Sequence, residues 1–127
     1  MRYKKICGRP CAALLLALAL AASTAKATVF SEAQYARAWC QERQGRIIRL
    51  TGTPLPICEF GQYRVAAAFA TNWAATIGSA YFATIDSDKK PGAALILQNK
   101  GDRQYYNLLN RVIGKQHLPL RTWIIQP

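Results

Sequence analysis

The amino-terminal segment decides how much of this chain is left to fold. Four positive charges, Arg2, Lys4, Lys5 and Arg9, stand before the apolar run CAALLLALALAA, and STAKA follows it. A basic end, a short greasy core and small residues at Ala25 and Ala27 are the order of a cleavable secretory signal. Cleavage is expected after Ala27, with Thr28 as the new first residue. The apolar run is roughly a dozen residues, short of the ~20 that an uncleaved membrane anchor needs. Cys7 and Cys11 precede the run instead of following it, which argues against a lipoprotein. The reading is therefore a signal peptide at 1–27 and a single domain at 28–127, working in the periplasm or secreted.

That division changes the charge. Of the 17 Lys and Arg, 12 lie in 28–127 together with all six Asp and Glu, so the domain carries about +6 where the whole chain carries +11. A bias of this size suits an anionic partner, and it also lies within the range that ordinary domains use for solubility. The ordinary reading stands slightly ahead.

Two cysteines remain, Cys40 and Cys58. In an oxidising compartment an isolated pair in a small domain reads as one disulfide. It would close a loop of about 19 residues, worth about 3 kcal/mol in the chain-entropy account. The spacing fits no zinc pattern, and a single His117 adds little to a metal set, so neither metal nor cofactor is expected.

The order of elements follows from periodicity and punctuation. Ser31 with Gln34 three places on is a capping-box start, and Tyr35, Ala36 and Trp39 give that helix an apolar side. RIIRL (46–50), LPICEF (55–60) and YRVAAAFA (63–70) read as three strands separated by the turns TGTP and Gly61-Gln62. From Asn72 to Ile85 the pattern turns helical, with Trp73, Ile77, Ala80 and Tyr81 on one face and Thr84 as its polar end. DSDKKPG (86–92) breaks the chain, and AALILQ (93–98) reads as a strand buried on both faces. Asp102 is expected to cap a last helix bearing Tyr105, Leu108, Leu109 and Val112, with Gly114 near its end and RTWIIQ (121–126) as the final strand. The fold expected is α/β in α-β-β-β-α-β-α-β order. Its sheet is mixed, its third and fourth strands are parallel across a helical crossover, and helices cover both faces.

This order, with AWC at 38–40, PIC at 56–58, YRVAAAFA at 63–70, NWAATIGSAYFAT at 72–84 and KKPGAALIL at 89–97, resembles a group of small exported bacterial proteins with a PD-(D/E)XK core, the restriction-endonuclease-like fold. The resemblance covers almost all of 28–127, and NWAATIG and KKPG are its most specific parts. In that fold, carboxylates on the second and third strands hold a divalent metal that activates water against a phosphodiester. The resemblance implies that these positions are lost here. The acid of the second strand falls on Ile57, and those of the third on Ala66 and Ala68. The helix positions fall on Asn72, Ala75, Ser79 and Ala83. The packing residues Val65, Phe69, Trp73, Ile77, Gly78 and Pro91 match. Glu59, two residues after Ile57, is the one carboxylate nearby, and alone it is a poor magnesium ligand set.

The function expected on this reading is that of an exported, catalytically degenerate nuclease-like domain. It would be a binding or structural accessory protein of the cell envelope, for example of a secretion or conjugation system, with an envelope protein as partner. The alternative is a nucleic-acid-binding protein without cleavage, using Arg43, Arg46, Arg49, Arg64, Lys89 and Lys90 for anion contact, helped by Arg37, Arg103, Arg111 and Lys115 and by stacking on Tyr105 and Tyr106. Arg46 and Arg49 differ in strand parity, which weakens a shared patch. A residual metal-dependent nuclease ranks lower. A hydrolase built on Ser31, Ser79 or Ser87 with His117 ranks lowest, since no nucleophile-elbow motif surrounds any serine. Trp39, Trp73 and Trp123 read as packing residues.

Overall fold

The computed structural model describes residues 30–127; the expected export segment, 1–27, lies outside the described residues. The chain runs α1 (Glu32–Glu42), β1 (Arg46–Ile48), β2 (Ile57–Phe60), β3 (Tyr63–Phe69), α2 (Trp73–Thr84), β4 (Lys90–Ile96), α3 (Arg103–Gln116) and β5 (Arg121–Ile125), with single 3-10 turns at Ala70–Asn72 and Lys100–Asp102. This is the α-β-β-β-α-β-α-β order that the sequence predicts.

α1 starts where its capping box places it. The Gln34 N–H donates to Ser31 Oγ at 3.2 Å, and the Ser31 N–H donates to Gln34 Oε1 at 2.7 Å. Gly45 follows the helix because nothing larger fits: a Cβ there would lie 2.9 Å from Cys40 Sγ and 2.8 Å from the Glu59 carbonyl oxygen. The chain can therefore enter β1 directly beside the Cys40–Cys58 disulfide, which ties α1 to β2.

The five strands form one mixed sheet in the spatial order β1-β2-β3-β4-β5. β1 and β2, and β2 and β3, pair antiparallel; β3 and β4, and β4 and β5, pair parallel. Strand alternation divides the core in two. Cys58, Val65, Ala67, Ala94, Ile96 and Ile125 pack under α1 with Ala36 and Trp39. Ile57, Ala66, Ala68, Ala93 and Leu95 point the other way, under Ala80 and Ala83 of α2 and Leu109 of α3. Helices thus cover both faces. The alanines of β3 are poor strand formers in isolation, but burial on two faces outweighs that preference, and their small size lets both helix layers approach the central strand.

Two local expectations change. β4 starts at Lys90, so Pro91 and Gly92 belong to the strand and not to the break before it. The Lys90 N–H donates to the Gln62 carbonyl on the β3 side, so the position of Pro91 turns toward β5. Pairing with β5 begins one residue later, at Gly92↔Arg121, so proline's missing N–H forfeits no ladder bond. The second change is at Asp102, which precedes α3 without capping it. Its buried carboxylate turns back and accepts from the N–H groups of Gln98, at 2.8 Å, and Asn99, at 3.0 Å. α3 ends at His117, exposed and left-handed at φ 53°. Trp39 is buried, and Trp73 and Trp123 are half-buried, as packing residues are expected to be. Among the described residues no helix is long and apolar enough to cross a membrane.

Candidate functional site

The positions that the resemblance marks as a lost metal site come together. Ile57 pairs with Ala66 across β2 and β3, Ala66 pairs with Ala93 across β3 and β4, and Ala68 pairs with Leu95. Ile57, Ala66, Ala68, Ala93 and Leu95 have no exposed surface, and Ala83 of α2 closes over them at 2 % exposure. An oxygen-lined cation site needs room for the ion and its waters. Here that volume is hydrocarbon. Ser79, on the same helix, is turned to another use: its hydroxyl shares a 2.6 Å hydrogen bond with Thr53, which also accepts from the Leu55 N–H and so ties the β1–β2 loop to α2. Ala75 faces solvent, away from the group. Asn72 is exposed, and its amide donates to Glu32 at 3.4 Å.

Glu59 lies on the same sheet face, one alternation along β2 from Ile57. It pairs with Arg46 of β1 on one side and Arg64 of β3 on the other. Arg64 Nε donates to Glu59 Oε2 at 2.8 Å, and Arg46 Nε and Nη2 donate to Oε1 at 3.2 and 3.1 Å. The Arg64 bond, with a smaller share from Arg46, holds the Glu59 carboxyl below the usual carboxylate range, while burial pulls the other way. Arg64 also donates to the Ala83 carbonyl at 2.8 Å, near the C-terminal end of α2, where carbonyls lack helix partners. Glu59 is therefore the centre of an ion triplet that ties three strands to a helix.

The cations of the expected anion surface have separate surroundings. Arg46 and Arg64 are bound to Glu59. Arg43 sits at the end of α1, 4.1 Å over the Trp39 ring, and donates to the Trp39 carbonyl at 3.2 Å. Lys89 donates to the Gly61 carbonyl at 2.8 Å, bracing the β2–β3 turn. Arg49 and Lys90 are exposed, one past the end of β1 and the other at the start of β4. Tyr105 and Tyr106 pack against the α2 and α3 side of the core, where the Tyr106 hydroxyl meets Thr122 at 3.0 Å.

Two features escape a reading by motif. The Glu32 carboxylate accepts from the Phe69 N–H at 2.8 Å and pins the first turn of α1 to the end of β3. A cleft of about 490 Å³ opens between α1 and β5, lined by Phe30, Gln34, Ala38 and Glu42 on one side and Ile124 and Ile125 on the other. The i, i+4 spacing of its α1 wall was the available signal. Among the described residues no group of three or more His, Cys, Asp or Glu is placed to hold a metal ion.

No family model, curated protein or solved structure matches the chain significantly.

Proposed function

We propose that the chain is an exported, catalytically degenerate nuclease-like domain that works by binding, as an accessory protein of the cell envelope. The observation that carries this reading is the apolar block at Ile57, Ala66 and Ala68, packed without exposed surface where a PD-(D/E)XK site would need carboxylates. The engagement of Glu59 by two arginines supports it further, since a carboxylate held as a salt bridge is withdrawn from metal ligation. The disulfide supports export, because such bonds persist in oxidising compartments.

The test has two arms. Mass spectrometry of the protein recovered from the envelope or medium is expected to find Thr28 as the first residue; a chain still carrying its first 27 residues overturns the export reading. The exported protein, immobilised, is expected to retain a defined envelope protein complex in fixed proportion and to leave DNA uncut in magnesium. Recovery of nucleic acid alone, lost as salt rises, favours the nucleic-acid-binding alternative; magnesium-dependent cleavage overturns the degenerate reading.

A further inference from the structure

The two helices that share one face of the sheet carry charge unevenly. α2 has no charged residue from Trp73 to Thr84, and its outward side is largely apolar. Ala74, Ala75 and Gly78 are exposed, Phe82 is 44 % exposed, and Ile85, just past the helix, is 75 % exposed. Gly78 stands in open space: a Cβ there would meet no atom within 4 Å. A helix that is apolar outside as well as inside is built for an apolar neighbour on both sides. α3 lies beside it. On one flank of α3, Tyr106 and Asn110 both bond Thr122 of β5. At about 100° per residue, Leu108, Val112 and Lys115 fall on the opposite flank, toward α2. Leu108 and Val112 are half-buried and line a groove of about 560 Å³ with Arg111 and Lys115. An apolar strip thus runs from α2 onto α3 and is bordered by cations. α3 carries Arg103, Arg111 and Lys115 and no acid. None of the three makes a salt bridge to a described residue. Asp102, ahead of α3, is buried and bonded to backbone N–H groups, and Asp86 and Asp88 lie past α2 in the loop to β4.

We infer that the outer surface of α2 and α3 rests on an anionic lipid bilayer. Phe82, Ile85 and Leu108 reach the boundary of the acyl region, and Arg111 and Lys115 meet the headgroup phosphates. A surface of this kind binds through buried apolar area together with attraction to anionic lipid. Charge complementarity selects this occupant. A second copy of the chain would set cations against cations, because neither helix supplies an acid. Nucleic acid would satisfy the cations and leave the apolar strip without a partner. The rings it would stack on, Tyr105 and Tyr106, are packed against the core. The association is peripheral, since no described helix is long and apolar enough to cross a membrane. The inference shares the envelope location with the proposed function, and vesicle binding tests it without reference to export or to the lost metal site.

The exported protein, recovered after expression of the full chain, is sedimented with vesicles of phosphatidylcholine alone and with vesicles that also contain phosphatidylglycerol. Binding to the anionic vesicles is expected to exceed binding to the neutral ones roughly tenfold or more and to weaken as salt rises. Arg111→Glu combined with Lys115→Glu is expected to lower it roughly tenfold or more. Gly78→Glu places an acid in the strip at a position with space for it, so circular dichroism stays unchanged while vesicle binding falls. Ile85→Ser removes apolar surface at constant charge. It is expected to lower vesicle binding roughly threefold and to leave any retention on duplex DNA or polyglutamate unchanged. If a charge variant does not fold, Ile85→Ser, outside the helix, decides. Equal binding to both vesicle compositions overturns the inference. So does vesicle binding indifferent to Ile85→Ser, or retention on DNA or polyglutamate as tight as on anionic vesicles.

Discussion

Arg64 holds Glu59 across the β2–β3 ladder at 2.8 Å, and the same guanidinium reaches the Ala83 carbonyl of α2. The pair lies where three strands and a helix meet, with both side chains largely shielded, 24 % and 13 % exposed. It therefore works as a tie between layers more than as a surface ion pair.

Its stability contribution has a definite sign in pH. The folded carboxyl titrates below its ordinary value of 4.5, so the stabilisation is fully present above that value and is lost as pH falls through the depressed folded value. At neutral pH Glu59→Gln is expected to cost about 1–3 kcal/mol. Thermal unfolding followed against pH should show the gap between wild type and Glu59→Gln closing in acid. A gap that stays constant would remove the ion triplet from the stability account.

The Cys40–Cys58 bond joins α1 to the second strand across 18 residues of chain. Replacing both cysteines by serine is expected to lower stability by about 3 kcal/mol, a fall in Tm of roughly 12–24 °C for a domain of this size. Differential scanning calorimetry of the double variant measures it, and an unchanged Tm would contradict it.

Gly92 lies directly under Trp123. A Cβ at this position would come within 2.5 Å of the Trp123 ring at Cζ3 and 3.0 Å of Val65 Cγ2. The ring lies across β4 because the glycine leaves it space. Gly92→Ala is expected to cost about 1–3 kcal/mol and to shift the tryptophan near-ultraviolet dichroism, as overpacking displaces the ring. An unperturbed tryptophan spectrum would show that the ring is not seated there.

Introducing an acid into the apolar block should damage the fold. Ala66→Glu places a carboxylate at a position with no exposed surface, opposite Ile57 and Ala93. An expected loss above about 4 kcal/mol follows from burying an unpaired charge in a packed site. Chemical denaturation reads the loss. A stable Ala66→Glu protein that binds magnesium would show that the block opens easily.

Much of this was legible in the residues. Element order, the capping box at Ser31, the disulfide and the two-faced burial of β4 each follow from local pattern and short spacing. What was not legible depends on neighbours distant in sequence. Pro91 lies within a strand because β5 starts one position late, which no window around Pro91 can reveal. Asp102 looks like a helix cap in sequence, yet its carboxylate is used by the two N–H groups upstream. Arg46 and Arg64 read as free cations until the register sets both against Glu59. The apolar character of Ile57, Ala66 and Ala68 was plain, but their meeting in one sealed block depends on that same register.

The strands lie in space in the order in which they occur along the chain. No strand has to be inserted between two that are already paired. A polypeptide delivered amino end first can add each strand to the single growing edge, starting from antiparallel pairs that need only short turns. Both cysteines of the covalent staple precede the parallel strands along the chain. Pulse-labelled hydrogen exchange during refolding should therefore find amides of β2 and β3 protected no later than those of β5. Assembly in this direction ends at β5, so the strand laid down last keeps one side without a strand partner among the described residues.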